Sequence, residues 1–249
     1  MSLTEIKQDK PWRATVLTLL PDMFPGPLGH SLVGQARANG VWSLDVRDIR
    51  EHGIGRHRSV DDTPAGGGPG MVMRCDVAAA VIDAAVARAG ADASEIPLIY
   101  PSPRGEPFTQ GLARELSVGP GVIFLAGRFE GLDDRVIAGR NLREVSLGDF
   151  VMTGGELAAM AMIDAAVRLL PGVLGAEAST QDESFSDGLL EYPQYTRPRD
   201  WEGRAIPDVL LSGNHDLIAR WRRTEARRLT EARRPDLIAR LARSDKDDH

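Results

Sequence analysis

Cysteine is almost missing from this chain of 249 residues: Cys75 stands alone. A single thiol excludes an intrachain disulfide and any zinc site built on cysteines. It also points to a reducing cytoplasm as the natural compartment. Histidine is scarce, and His30, His52, His57, His215 and His249 follow no metal-ligand spacing. Each reads as a surface or hydrogen-bonding histidine. No apolar run approaches the roughly 20 residues that cross a bilayer. The stretch from Met1 to Trp12 is polar and has no signal-peptide core. No membrane role is expected.

What is present is an ordinary globular composition, 42% apolar, enough for one large domain or a medium one with a small companion. Short apolar runs alternate with helical patterns, the mark of an α/β fold. Strands are expected over 14–20, 44–49, 96–100, 121–126 and 144–147, and helices over 29–39, 77–89, 111–116 and 155–170. The last helix is apolar nearly all round, which predicts burial, in part against a second subunit. From 175 the texture turns small, polar and acidic without periodicity, predicting a linker over 175–187 that stays mobile without its ligand. Beyond it, 188–249 predicts a small helical domain, with two amphipathic helices split by Pro235 and a frayed tail over 244–249.

The net charge of −6 conceals a basic module. Nine arginines between Arg220 and Arg243 face only Glu225, Glu231 and Asp236. For any one arginine a solvated, salt-bridged helix face is the plainer reading. The exclusive choice of arginine favours phosphate contact, because the guanidinium fork matches phosphate oxygens.

The most informative stretch is Ser146-Leu147-Gly148-Asp149-Phe150-Val151-Met152-Thr153-Gly154-Gly155-Glu156-Leu157. Glycine-hinged backbone can approach a flat ligand closely and offer bare N–H and C=O groups, as an adenine ring requires. Its companions are Tyr100-Pro101-Ser102-Pro103-Arg104-Gly105, Gly127-Arg128-Phe129-Glu130-Gly131 and Gly66-Gly67-Gly68-Pro69-Gly70. The last cluster lacks the Gly-Lys-Ser/Thr ending of a phosphate loop. It reads as a mobile turn or as a lid over a nucleotide. Glu130, Asp133 and Asp134 suit either a divalent cation or a salt-bridge network with Arg128 and Arg135. Asp182 and Glu183 are either solvated linker acids or carboxylates that close over a bound base.

Together the segments 100–105, 127–131, 147–157, 191–198 and 210–215, with Arg220-Trp221-Arg222, resemble the bacterial tRNA (guanine-N1)-methyltransferases. The likeness runs from about Thr18 to Leu241 with the motifs in family order. It implies a SPOUT-class parallel sheet with a trefoil knot in the C-terminal half of a catalytic domain over 1–174. It further implies the interdomain linker at 175–187 and a tRNA-binding helical domain at 188–249. The resemblance also implies an obligate homodimer with active sites at its interface, and a cytoplasmic role in tRNA processing. S-adenosylmethionine, bent in the knot, would donate a methyl group to N1 of the guanosine just 3′ of the anticodon, position 37. That modification prevents frameshifting. The family draws on magnesium, although the resemblance assigns it no ligand here. The open-sheet methyltransferase loop, acidic-glycine-x-glycine after the first strand, finds no match.

Carried over by position, the adenosine pocket would comprise Tyr100, Pro101, Ser102, Pro103, Gly127, Glu130, Leu147, Gly148, Asp149, Phe150, Val151, Met152, Gly154 and Gly155. Gly67 and Gly68, with Ser212, Asn214 and His215, would face tRNA. Arg168 matches the arginine at the end of the knot helix and would stabilise charge on the guanine carbonyl. Ala65, Pro101, Phe129, Phe150 and Ala158 depart from the family's commonest residues. The weightier departure is Asp182-Glu183-Ser184-Phe185, where the family usually reads Glu-Asp-Ser-Phe. Alignment puts Glu183 at the general base, with Asp182 as the alternative.

Overall fold

The computed structural model describes residues 10–174, 183–185 and 187–247. Residues 175–182 and 186 of the expected mobile linker, Asp182 among them, lie outside that set, as does the end of the tail. The chain divides into two compact units, Met1–Gly175 and Ala176–His249.

The first unit is built on a sheet whose central strand, Gly121–Leu125, is an unbroken apolar run because both of its faces are covered. In chain order its elements are β1 (Trp12–Thr18), α1 (Ser31–Ala38), β2 (Trp42–Asp48), β3 (Asp61–Asp62), β4 (Val72–Met73), α2 (Cys75–Ala89), β5 (Leu98–Pro107), α3 (Gln110–Val118), β6 (Gly121–Leu125), α4 (Asp134–Gly139), β7 (Arg143–Ser146) and α5 (Glu156–Val167). Five strands form one parallel sheet in the order β2-β1-β6-β5-β7. Successive side chains of a strand point to opposite faces. Val16 and Phe124 accordingly join one core with α1, α3 and α5, while Leu17, Ile123 and Leu125 join a second with α2 and α4. Two indoles pin the first layer: Trp12 Nε1 donates to Leu116 O and Trp42 Nε1 to Val33 O, each at 2.9 Å. Phe124 is fully buried between the strands and helices, and its loss would cost about 3–5 kcal/mol.

All five expected strands and four expected helices exist, with ends displaced by a few residues. The strand expected at 96–100 continues to Pro107, because a register shift between Pro101 and Glu106 lets it rejoin β7. The glycine cluster forms the loop of the short antiparallel pair β3–β4. α4 was not expected. Its six residues follow the N-cap Asp133, whose carboxylate accepts the Arg135 N–H.

The second unit holds β8 (Asp200–Trp201) and β9 (Arg204–Ala205), then α6 (Asp208–Leu211), α7 (His215–Arg233) and α8 (Pro235–Asp247). Pro235 occupies the first position of α8, where a missing N–H costs nothing, and thereby sets the expected break. Fully buried Thr230 organises this unit. Its Oγ1 donates to Ala226 O at 2.7 Å and accepts the Leu190 N–H at 2.9 Å.

Candidate active site

In a parallel sheet the loops that leave the carboxyl ends of the strands gather on one edge, and ligands bind there. The loops after β6 and β7 and the continuing β5 segment enclose a cleft of ≈ 350 Å³ lined by 100–104, 127–132, 145–148, 150–155 and Ala158. That is the lower range of small-molecule pockets.

The walls are close-packed backbone. A Cβ added to Gly127 would stand 2.6 Å from the Tyr100 ring. One added to Gly155 would stand 3.0 Å from Ala126 Cα, so neither position accepts a side chain without movement. The two loops are stitched directly: Gly155 N donates to Gly127 O at 2.9 Å. Tyr100 forms the floor, and its burial pushes the phenol pKa upward, so the ring is neutral in use. On the other side, Glu130 N donates to Met71 O and Met73 N to Gly131 O, both at 2.9 Å. This ties the β3–β4 hairpin, and with it the glycine cluster, to the cleft wall. Gly70 lies against Glu130 so closely that a Cβ would meet its carboxyl group.

Thirteen of the fourteen residues expected around the adenosine line this one cleft; Asp149 does not. Phe150 N donates to Gly148 O at 2.9 Å, and this three-residue turn leaves Asp149 exposed. Arg104, Arg128, Phe129, Gly131, Leu132, Val145, Ser146, Thr153 and Ala158 line it too, although the sequence assigned none of them to the pocket. For Arg128 and Phe129 the signal was present in their place between Gly127 and Glu130. Phe129 holds a left-handed φ of +62°, a cost a loop bears when the backbone path is constrained.

Two of the acidic trio, Asp133 and Asp134, resolve toward ion pairs. Asp133 receives Arg135 Nε at 2.9 Å and Nη2 at 2.6 Å, which holds its carboxyl below the usual carboxylate range. Asp134 meets Arg104 at 3.3 Å. Among the described residues no group of three or more His, Cys, Asp or Glu could hold a metal ion.

Arg168 is not in the cleft. It caps the far end of α5, donating its N–H to Asp164 O at 3.1 Å. At 1.5 Å per residue it lies about 15 Å along the axis from Ala158. Gly67 and Gly68 are exposed on the hairpin, with φ of +80° and +125° that favour glycine. In the second unit Asn214 caps α7, accepting the Leu217 N–H at 3.2 Å. Ser212 accepts the Asn214 N–H at 3.2 Å, and His215 opens the helix, exposed. Half-buried Glu183 borders a small cavity of that unit with Tyr192, Arg222 and Arg223.

A family model described as tRNA (Guanine-1)-methyltransferase TrmD matches residues 12–240. Three curated relatives carry the name tRNA (guanine-N(1)-)-methyltransferase. That of Bradyrhizobium diazoefficiens is 64% identical over 231 residues, which is 93% of this chain and 90% of its own. That of Nitrobacter winogradskyi is 63% identical over 228 residues, 92% and 93% of the two chains. That of Gluconobacter oxydans is 56% identical over 226 residues, 91% and 94% of the two chains. Among the described residues no helix is long and apolar enough to cross a membrane.

Proposed function

The chain belongs to the tRNA (guanine-1)-methyltransferase family, and from that premise we propose that it methylates N1 of guanosine 37 in tRNA, with S-adenosylmethionine as donor. The observation that carries the reading is the cleft itself: three segments singled out in the sequence converge on one backbone-walled pocket. Its glycines leave room for a flat ring, and bare main-chain groups are available to an adenine edge. The donor, when bound, supplies an electrophilic sulfonium methyl.

The chain's residues must do the rest. Guanine N1 carries a proton at neutral pH, so a carboxylate has to remove it as attack proceeds, a contribution of about 10²–10⁴-fold. Glu183 takes that role, with Asp182 as the alternative. Charge then spreads to O6, and Arg168 stabilises it as an oxyanion site does. The target base must first leave its stack. Gly67, Gly68, Ser212, Asn214 and His215 face the tRNA, and suppression of frameshifting is the outcome for the cell, in its cytoplasm.

Because α5 holds Arg168 away from its own cleft, the arginine serves the cleft of a second copy in a homodimer. The exposed side of α5 supports this, since Leu157, Ala161 and Asp164 follow one another at helical spacing toward Arg168. Val151, 83% exposed on the cleft rim, adds apolar surface that a lone chain would leave wet. The knotted path in the C-terminal half of the catalytic domain rests on the family resemblance alone. The units act as a catalytic domain, 1–174, and a tRNA-binding domain, 188–249, joined through 175–187. Among the described residues magnesium finds no ligand cluster, and Asp133 and Asp134 are engaged by arginines.

The test is methyl transfer from labelled S-adenosylmethionine to two transcripts of one tRNA, with guanosine or adenosine at position 37. Label entering the guanosine transcript alone, as 1-methylguanosine, is expected. Label in neither transcript, or in both, overturns the reading.

A further inference from the structure

Buried beneath the cleft is a charged group that the reaction as outlined does not use. Glu156 opens α5 at 1% exposure. Its Oε1 accepts from fully buried Thr18 Oγ1 at 2.8 Å and from Arg128 Nε at 3.0 Å. Its Oε2 is buried too, without a hydrogen-bond partner. A carboxylate so placed gives up much of its hydration, a cost that its ion pair only partly offsets. What it secures is the orientation of Arg128, tethered at Nε with its two Nη groups turned elsewhere.

Those Nη groups are underused. Nη1 reaches Thr153 O only at 3.5 Å, and Nη2 reaches Met23 Sδ at 3.9 Å. The cleft lining contains one other cation, Arg104. It is already committed: Nε and Nη2 approach Glu144 at 3.3 and 3.1 Å, and Nη2 approaches Asp134 at 3.3 Å. Arg104 is also largely exposed and keeps only Nη1 uncommitted, whereas Arg128 is anchored on a buried carboxylate with both Nη groups weakly engaged, and it sits at the Thr153–Gly154 end of the loop, beyond 147–152. The ligand of the proposed function carries one anionic group, the carboxylate of its amino-acid end.

We propose that Arg128 receives that carboxylate and that Glu156, with Thr18, is the positioning residue that aims it. This rests on the reading of the cleft as the S-adenosylmethionine site. A planar guanidinium anchored on one edge can offer the other edge as a fixed fork, so little freedom is lost on binding. An anchored arginine also makes the site sensitive to the charge of the ligand's tail, not only to its adenosine.

The experiment is calorimetric binding to the purified full chain of three ligands: S-adenosylmethionine, its decarboxylated analogue and methylthioadenosine, which lacks the amino-acid end. The wild type is expected to bind S-adenosylmethionine at least tenfold more tightly than the decarboxylated form, the scale of one charge-assisted hydrogen bond, about 1.5–3 kcal/mol. Arg128→Ala should erase that preference and leave methylthioadenosine affinity within about twofold. Because that variant strands a buried carboxylate, the double variant Arg128→Met/Glu156→Gln, which removes both charges, is measured beside it, with thermal unfolding as a check on folding. Glu156→Gln alone should lower the preference part-way. A preference that survives in Arg128→Ala and in the folded double variant overturns the proposal while leaving the site intact. Failure of the wild type to bind any of the three overturns the reading of the cleft itself.

Discussion

In the first unit the arginines around the cleft are held by fixed partners: Arg104 by Glu144 and Asp134, Arg135 by Asp133, and Arg128 by Glu156 through its Nε alone. In the second, nine arginines between Arg220 and Arg243 share three ion pairs among the described residues, Arg227–Glu231, Arg228–Glu225 and Arg234–Asp236. The cleft is shaped by backbone and glycine, and its charges are fixed. The basic helices leave most of theirs exposed on long side chains, Arg222 over the Tyr192 ring being an exception. A small ligand of fixed outline needs rigid walls with few cations. A polyanion is held by summed, solvent-exposed contacts that displace counterions. The two regions therefore differ in what a mutation can do: one damaged wall residue should abolish fit, whereas removing one arginine should only weaken.

That contrast can be broken in four places, taken from the largest effect down. Glu183→Gln should lower methyl transfer by about 10²-fold or more, in the range of a missing general base, with donor affinity unchanged by calorimetry. Full activity there and loss in Asp182→Asn would move the base one residue back. Next, Gly155→Ala forces a methyl group against the backbone of Ala126 and Gly127. Overpacking of that kind costs about 1–3 kcal/mol, so donor affinity should fall about tenfold or more while tRNA retention on a filter is kept. Removing Arg220 and Arg223 together as glutamines should weaken tRNA binding several-fold. The slope of log affinity against log salt should flatten by about 1 for each phosphate no longer neutralised. Donor binding should not change. The smallest effect concerns Tyr100, whose pKa is raised by burial. A raised acid contributes stability that is full below its unfolded value near 10 and is lost as pH rises through the folded value. Tyr100→Phe should remove that alkaline loss, read as the difference in melting temperature between pH 8 and pH 11.

The same contrast explains what could be read in advance. Strands such as β1 and β6 are buried on both faces, and their apolar runs announce them. Pro235 announces its own break. The cleft's glycine segments were visible because glycine marks close backbone approach. The cations of the cleft stood inside those segments, but their pairings were not visible. Arg128 owes its place to Glu156 and Thr18, distant in sequence, and no local pattern encodes that meeting. Asp149 stands outside the lining for the converse reason: it sits inside a motif whose neighbours face the cleft, but a tight turn at Gly148 leaves it exposed. The position of Arg168 needed the length of α5, because its motif position alone does not say which cleft it can reach.

That length has a consequence for mixtures of defective chains. A chain with a ruined cleft still carries a sound Arg168, and a chain lacking Arg168 still carries a sound cleft. In the proposed two-fold dimer, random pairing would make half of the dimers mixed, and each mixed dimer would own one complete site. Two inactive preparations, unfolded and reassembled together, would regain about a quarter of the wild-type rate by pairing statistics alone. In a cell expressing both, each lesion would be recessive to the other.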